Sequence, residues 1–106
     1  MNAARKRSHA EDIGIALGDP QAVERFTVAR RFLQAHLVVR REIPNGVDFL
    51  FSGEAADLHA ALKDLVEIEH RASRFLLVDY TEIDEYLLLR VIGGAEHRET
   101  IEGYFD

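Results

Sequence analysis

The chain has 106 residues, enough for one domain that buries somewhat over roughly 60% of the surface its unfolded form exposes. Apolar residues make up 47% and charged residues 30% of it, the balance of a folding globular protein and not of a disordered one. It has no cysteine and a net charge of −6, which excludes disulfides, thiolate catalysis and cysteine metal sites and argues against a nucleic-acid footprint.

The charge is uneven. Residues 1–41 carry eight basic and four acidic groups, residues 42–106 five basic and fifteen acidic, a split that suits docking of the basic part on its own chain or on a partner, or simply two solvated faces. Residues 1–18 combine the cluster Arg5, Lys6, Arg7 with small residues and two glycines. They show no sustained period, so a flexible basic arm is expected there, followed by a single α+β domain over 19–106. Met1 to Arg7 is basic like the start of an export signal, but Ile13 to Leu17 is interrupted by Gly14 and too short to follow it. No export signal and a cytoplasmic setting are therefore expected. No run approaches the roughly 18 apolar residues a membrane span needs, so no membrane partner is expected.

Asp19-Pro20 is a helix start with a mechanism: the carboxylate caps free N–H groups and proline sits where no donor is needed. The helix is expected from Pro20 to about Ala35, with a partly apolar face through Val23, Phe26, Arg30, Leu33 and Leu37. From His36 the period becomes 2. Leu37, Val39 and Ile43 alternate with Val38, Arg40 and Glu42, and Val47, Phe49 and Phe51 share one side of a second strand. Pro44-Asn45-Gly46 between them predicts a tight hairpin with positive φ at the glycine.

Ser52-Gly53-Glu54 opens a helix expected to run to about Ser73, with Leu58, Ala61, Leu62, Leu65, Ile68 and Ala72 on one face. Phe75 to Tyr80 and Glu85 to Ile92, joined by the polar segment 81–84, predict a second hairpin. Gly93-Gly94 ends it, and Ala95 to about Phe105 forms a last helix with Ile101 and Phe105 inward. The order helix, then two units of strand, strand, helix predicts an α+β fold: a four-stranded antiparallel sheet with helices on one face, a two-layer sandwich. Leu50, Leu76, Val78 and Leu88 can leave that sheet apolar on both sides, to be covered by the N-terminal helix or by a second subunit, and a homodimer is expected.

The densest polar cluster is Glu67, Glu69, His70 and Arg71 at the end of the central helix. Glu67 and His70, three residues apart, share a helix face, a geometry that suits a divalent ion or a base and its orienter, and equally a solvated last turn. None of the five histidines stands in His-x-x-x-His spacing, so no metal site is assigned, and no cofactor motif or catalytic triad spacing occurs. Asp79, Tyr80, Asp84 and Glu85 gather near the second hairpin, the pattern of a charged rim.

From Val38 to Phe105 the chain resembles a group of small uncharacterised bacterial proteins. Their plan is an arginine-containing strand, a glycine hairpin followed by aromatics, and a helix ending in Glu-x-x-Cys-Cys-x-Phe, then a hairpin, a glycine turn and a short helix. The matching residues are Arg40 and Arg41, Asn45-Gly46, Phe49 and Phe51, the run Glu69 to Phe75, and Gly93-Gly94. Ala72 and Ser73 stand where that group has its cysteine pair. The resemblance implies a fold and a bacterial cytoplasmic setting; any metal or redox role of the paired thiols is absent from this chain. The expectation is a non-catalytic homodimeric binding or interaction domain with an unknown protein or small-molecule partner. The alternative is a divalent-metal, small-ligand or acid/base site around Glu67, Glu69 and His70, with His36 or His97 brought near by the fold.

Overall fold

The computed structural model describes residues 8–72 and 75–106. Arg5, Lys6 and Arg7 of the expected arm, and Ser73 and Arg74 of the helix-end motif, lie outside the described residues. Within the span expected to be an arm, His9–Leu17 forms a helix, α1, so that expectation is corrected for these residues. A capping box holds its start: Ser8 Oγ accepts from the Glu11 N–H while the Glu11 carboxylate accepts from the Ser8 N–H. Gly18 closes it in the left-handed conformation, φ 61°, where a side chain is strained. Nine residues are too few for a helical period to stand out, but Ile13 is buried and fixes the helix to the core.

Asp19 Oδ1 accepts from the N–H groups of Gln21 and Ala22, and Pro20 begins α2, Pro20–His36. Its buried stripe is Ala22, Phe26, Ala29 and Leu33; Arg30 only crosses the Phe26 ring, its guanidinium carbon 5.9 Å from the centroid. The chain then turns extended into β1, Leu37–Ile43, which pairs antiparallel with β2, Gly46–Phe51, across a bulge at Val38. In the turn, the left-handed residue is Asn45, φ 63°, and not Gly46. Glycine is needed at 46 for another reason: a Cβ there would lie 2.2 Å from the Val91 carbonyl oxygen of the neighbouring strand.

Helix α3, Ala55–Ala72, leads to β3, Leu76–Ile83, and β4, Tyr86–Gly93. The second hairpin is tighter than its polar segment suggests. Thr81 to Ile83 remain in the strand, and a turn at Asp84 and Glu85 with Asp84 at φ 53° reverses the chain. A 3₁₀ turn, Ala95–His97, and a short α4, Arg98–Glu102, follow.

The four strands form one antiparallel sheet in the order β1-β2-β4-β3, the expected α+β architecture. One face carries Val47, Phe49 and Phe51 of β2, Val78 of β3 and Leu89 and Val91 of β4, all buried. Against it pack Leu58, Leu62, Leu65 and Ile68 of α3 and Ile101, Tyr104 and Phe105 of the C-terminal segment. The Phe105 ring meets Phe49 and Phe51 edge-on, at 4.8 and 5.3 Å between centroids, the favoured aromatic geometry. Helix α2 packs on α3, and α1 on both. The helices thus lie on the core side, and α1 and α2 do not cover the opposite face of the sheet. No helix among the described residues is long and apolar enough to cross a membrane.

Candidate functional site

The cluster Glu67, Glu69, His70, Arg71 is divided by the helix it sits on. Glu69 is fully buried, while Glu67, His70 and Arg71 are exposed. His70 Nε2 reaches the Val78 carbonyl oxygen at 2.8 Å and Arg71 approaches Asp19 at 3.9 Å. Glu69 follows Leu58, Leu62 and Leu65 along the inward stripe of α3, at the i+4 and i+7 intervals that define a helix face. Position sends it inward despite its charge.

There it meets two residues distant in sequence. Tyr104 Oη donates to Glu69 Oε2, and His9 Nε2 lies 2.7 Å from the same oxygen. Oε1 has no partner. Phe26 closes the cluster, its ring 5.9 Å from His9 and 6.3 Å from Tyr104. Burial, reinforced by the Glu69 carboxylate beside it, pushes the Tyr104 phenol well above its ordinary pKa, so it remains a donor. The histidines expected near Glu69 go elsewhere. His36 bonds the Phe32 carbonyl at 2.9 Å, and His97 stacks on Phe75 at 5.1 Å. Among the described residues, no group of three or more His, Asp or Glu side chains is placed to hold a metal ion. His9, Glu69 and Tyr104 join α1, α3 and the C-terminal turn, and what the arrangement does chemically is hold them together.

The second constellation lies on the sheet face opposite the helices. Strand register puts its side chains in three cross-strand rows. The central row is Arg41, Asp48, Arg90 and Asp79, one residue from each strand with alternating sign. One flanking row is Val39, Leu50, Leu88 and Thr81, the other Ile43, Gly46, Ile92 and Leu77, with Ile83 and Tyr86 paired beyond the first. Asp48 is fully buried under its neighbours: Arg90 grips it at two points, Nε to Oδ1 at 2.7 Å and Nη2 to Oδ2 at 2.9 Å, and Arg41 Nη2 stands 3.5 Å away. The Arg90 hydrogen bonds, opposed by burial and aided by both arginine charges, hold the Asp48 carboxyl below its ordinary pKa. Around this ion row, apolar side chains stay open to water: Leu77 is 71% exposed, Val39 47%, Ile83 40% and Tyr86 39%.

Of the four residues expected to carry both-sided apolarity, Leu76 and Val78 belong to the core face while Leu50 and Leu88 belong to the open one. Strand alternation alone identifies Asp48 as the partner of Leu50 on that face; its burial was not evident, since it depends on Arg90, distant in sequence. His9 and Tyr104 left no local signal. Elsewhere, a shallow groove of about 630 Å³ runs between α2 and α3, lined by Arg25, Val28, Phe32, Asp57 and Asp64 among others. It is bridged by the Arg25–Asp64 ion pair at 2.8 Å. No family model, curated protein or solved structure matches this chain.

Proposed function

We propose that this chain is a non-catalytic interaction domain whose working surface is the open face of its sheet. The observation that carries the reading is the pair of apolar strips, Val39, Leu50, Ile83 and Tyr86 on one side and Ile92 and Leu77 on the other, that flank the Arg41–Asp48–Arg90 ion pairs on the side the described helices leave bare. A sheet with two apolar faces requires a second cover, and large apolar patches rimmed by polar groups mark association surfaces. The polar residues that sequence suggests for acid/base or metal chemistry do not converge: Glu69 is held by Tyr104 and His9, Glu67 is exposed, and His70 turns to the Val78 carbonyl on β3. A cysteine-free chain suits a reducing, cytoplasmic setting.

The test is a titration of the dilute protein with anilinonaphthalene sulfonate, an anionic apolar probe, read from backbone amide chemical shifts. The expected perturbations center on Val39, Leu50, Leu77 and Ile92, and Leu77→Glu suppresses them without changing the fold, because residue 77 is already largely in water. Perturbations confined to Val28, Phe32 and Ala60 in the α2–α3 groove would overturn the reading.

A further inference from the structure

Resting on that reading, we infer that the occupant of the open face is a second copy of this chain, placed by a two-fold axis that runs parallel to the strands. The symmetry of the charged row selects this axis. Two copies stacked face to face by a two-fold must have the axis in the plane between their sheets. An axis parallel to the strands reverses the strand order of the partner. Along the row Arg41, Asp48, Arg90, Asp79 this sets Arg41 over the second copy's Asp79 and Asp48 over its Arg90, so every charge faces its opposite. An axis through the same row but across the strands sets each strand over itself, and every charge faces its like, at a cost in desolvated repulsion.

The flanking rows agree with the first arrangement. Reversal sets Leu50 over Leu88, Ile43 over Leu77 and Val39 over Thr81, while Ile92 comes over Gly46, the one position of the face without a side chain. Apolar groups therefore meet apolar or small ones along both rows. Aligned packing of two twisted sheets, with strands about 30° apart, is the ordinary geometry of such a contact. Four strands about 4.8 Å apart with three rows of outward side chains present about 500 Å² per copy. The total, about 1,000 Å², is at the lower edge of specific interfaces and fits a reversible dimer with Kd on the order of 10 µM.

The absence of cysteine makes the geometry directly testable. Stacked sheets lie about 10 Å apart, beyond the roughly 7 Å Cα separation a disulfide spans, so a short bis-maleimide is the linker to use. Single-cysteine chains carrying Val39→Cys and Thr81→Cys, both at exposed positions, are mixed and treated with it at concentrations where sedimentation velocity shows the dimer. The expected product is a covalent dimer from the mixture, and none from either chain alone. A covalent dimer from Val39→Cys mixed with Ile43→Cys, and none with Thr81→Cys, would place the axis across the strands and overturn the geometry while leaving self-association standing. A dimer by sedimentation that yields neither product would show that copies meet on another surface. A monomer up to roughly 1 mM would remove the second copy as occupant; the probe titration above then decides separately whether the open face is the working surface.

Discussion

Removing the Tyr104 hydroxyl is the most informative perturbation of the interior. Glu69 is fully buried, Tyr104 is one of its two donors, and Oε1 already lacks a partner. A hydrogen bond to a charged group contributes about 1.5–3 kcal/mol net, so Tyr104→Phe is expected to cost about 2–3 kcal/mol. Glu69→Leu leaves the phenol buried without an acceptor, a penalty of about 1–3 kcal/mol, whereas His9, whose side chain is 17% exposed, can turn to water. Independent costs would sum to about 3–6 kcal/mol. The double variant Glu69→Leu/Tyr104→Phe, however, removes acceptor and donor together and replaces an incompletely satisfied carboxylate with an apolar group. It is expected within about 1 kcal/mol of the parent, a coupling of about 3 kcal/mol. Urea unfolding followed by far-UV circular dichroism at pH 7 measures all four corners of the cycle, and for a domain this size each kcal/mol moves Tm by about 4–6 °C. A double variant as unstable as the sum of the singles, or a Tyr104→Phe chain as stable as the parent, would refute the reasoning.

Two further perturbations test the sheet. Asp48 has its folded pKa depressed, so its contribution is fully present above the unfolded value of about 4 and is lost as pH falls through the folded one. Asp48→Asn is therefore expected to lower the urea midpoint most at about pH 6–7, with the gap to the parent narrowing as pH falls below about 4; a gap that stays constant from neutral pH through the acid range would show that shape and not charge is responsible. Gly46→Ala and Gly18→Ala separate close approach from backbone strain. The first puts a Cβ 2.2 Å from the Val91 oxygen, the second meets nothing within 4 Å but keeps φ at 61°. Expected losses in the same assay are about 3 kcal/mol or more for the first and about 1 kcal/mol for the second, and an equal cost for both would contradict the contact.

How far the fold is legible from sequence follows from the range of each signal. The Asp19-Pro20 start, the Asn45-Gly46 hairpin and the alternation of Val47, Phe49 and Phe51 act over a few residues, and each stands where its local chemistry puts it. Helix α1 was hidden because nine residues hold barely more than two turns; its capping box, Ser8 with Glu11, was the signal that could have revealed it. The burial of Glu69 is hard to read from sequence for a different reason. Its residue type argues for solvent and its spacing from Leu65 and Leu62 argues for the core, and spacing prevailed because Tyr104 and His9 arrive to satisfy the carboxylate. Neither partner is local: Tyr104 lies 35 and His9 60 residues away along the chain. Asp48 is legible as a residue of the open face from alternation alone, but Arg90, 42 residues distant, became its partner only through the β2–β4 pairing.

The two buried carboxylates sit in different settings, and under the proposed self-association they serve different ends, Glu69 the fold and Asp48 the contact. Glu69 is held by neutral and weakly basic groups drawn from three elements, and a buried polar link of that kind stabilises less than an apolar core would while accepting only one arrangement of α1, α3 and the C-terminal turn. Asp48 is held by two arginines whose outer parts remain in water, 50% exposed for Arg90 and 63% for Arg41, so the row keeps charge available at the surface. An entirely apolar face would bind more tightly, but it would accept a partner in many orientations and invite open-ended stacking. A central row of alternating sign weakens every wrong orientation more than the right one. On this argument, replacing Asp48 and Arg90 together with leucine should tighten self-association while broadening the cross-linking pattern to several cysteine pairs, and a tighter dimer that still links only residues 39 and 81 would show that the apolar rows alone set the geometry.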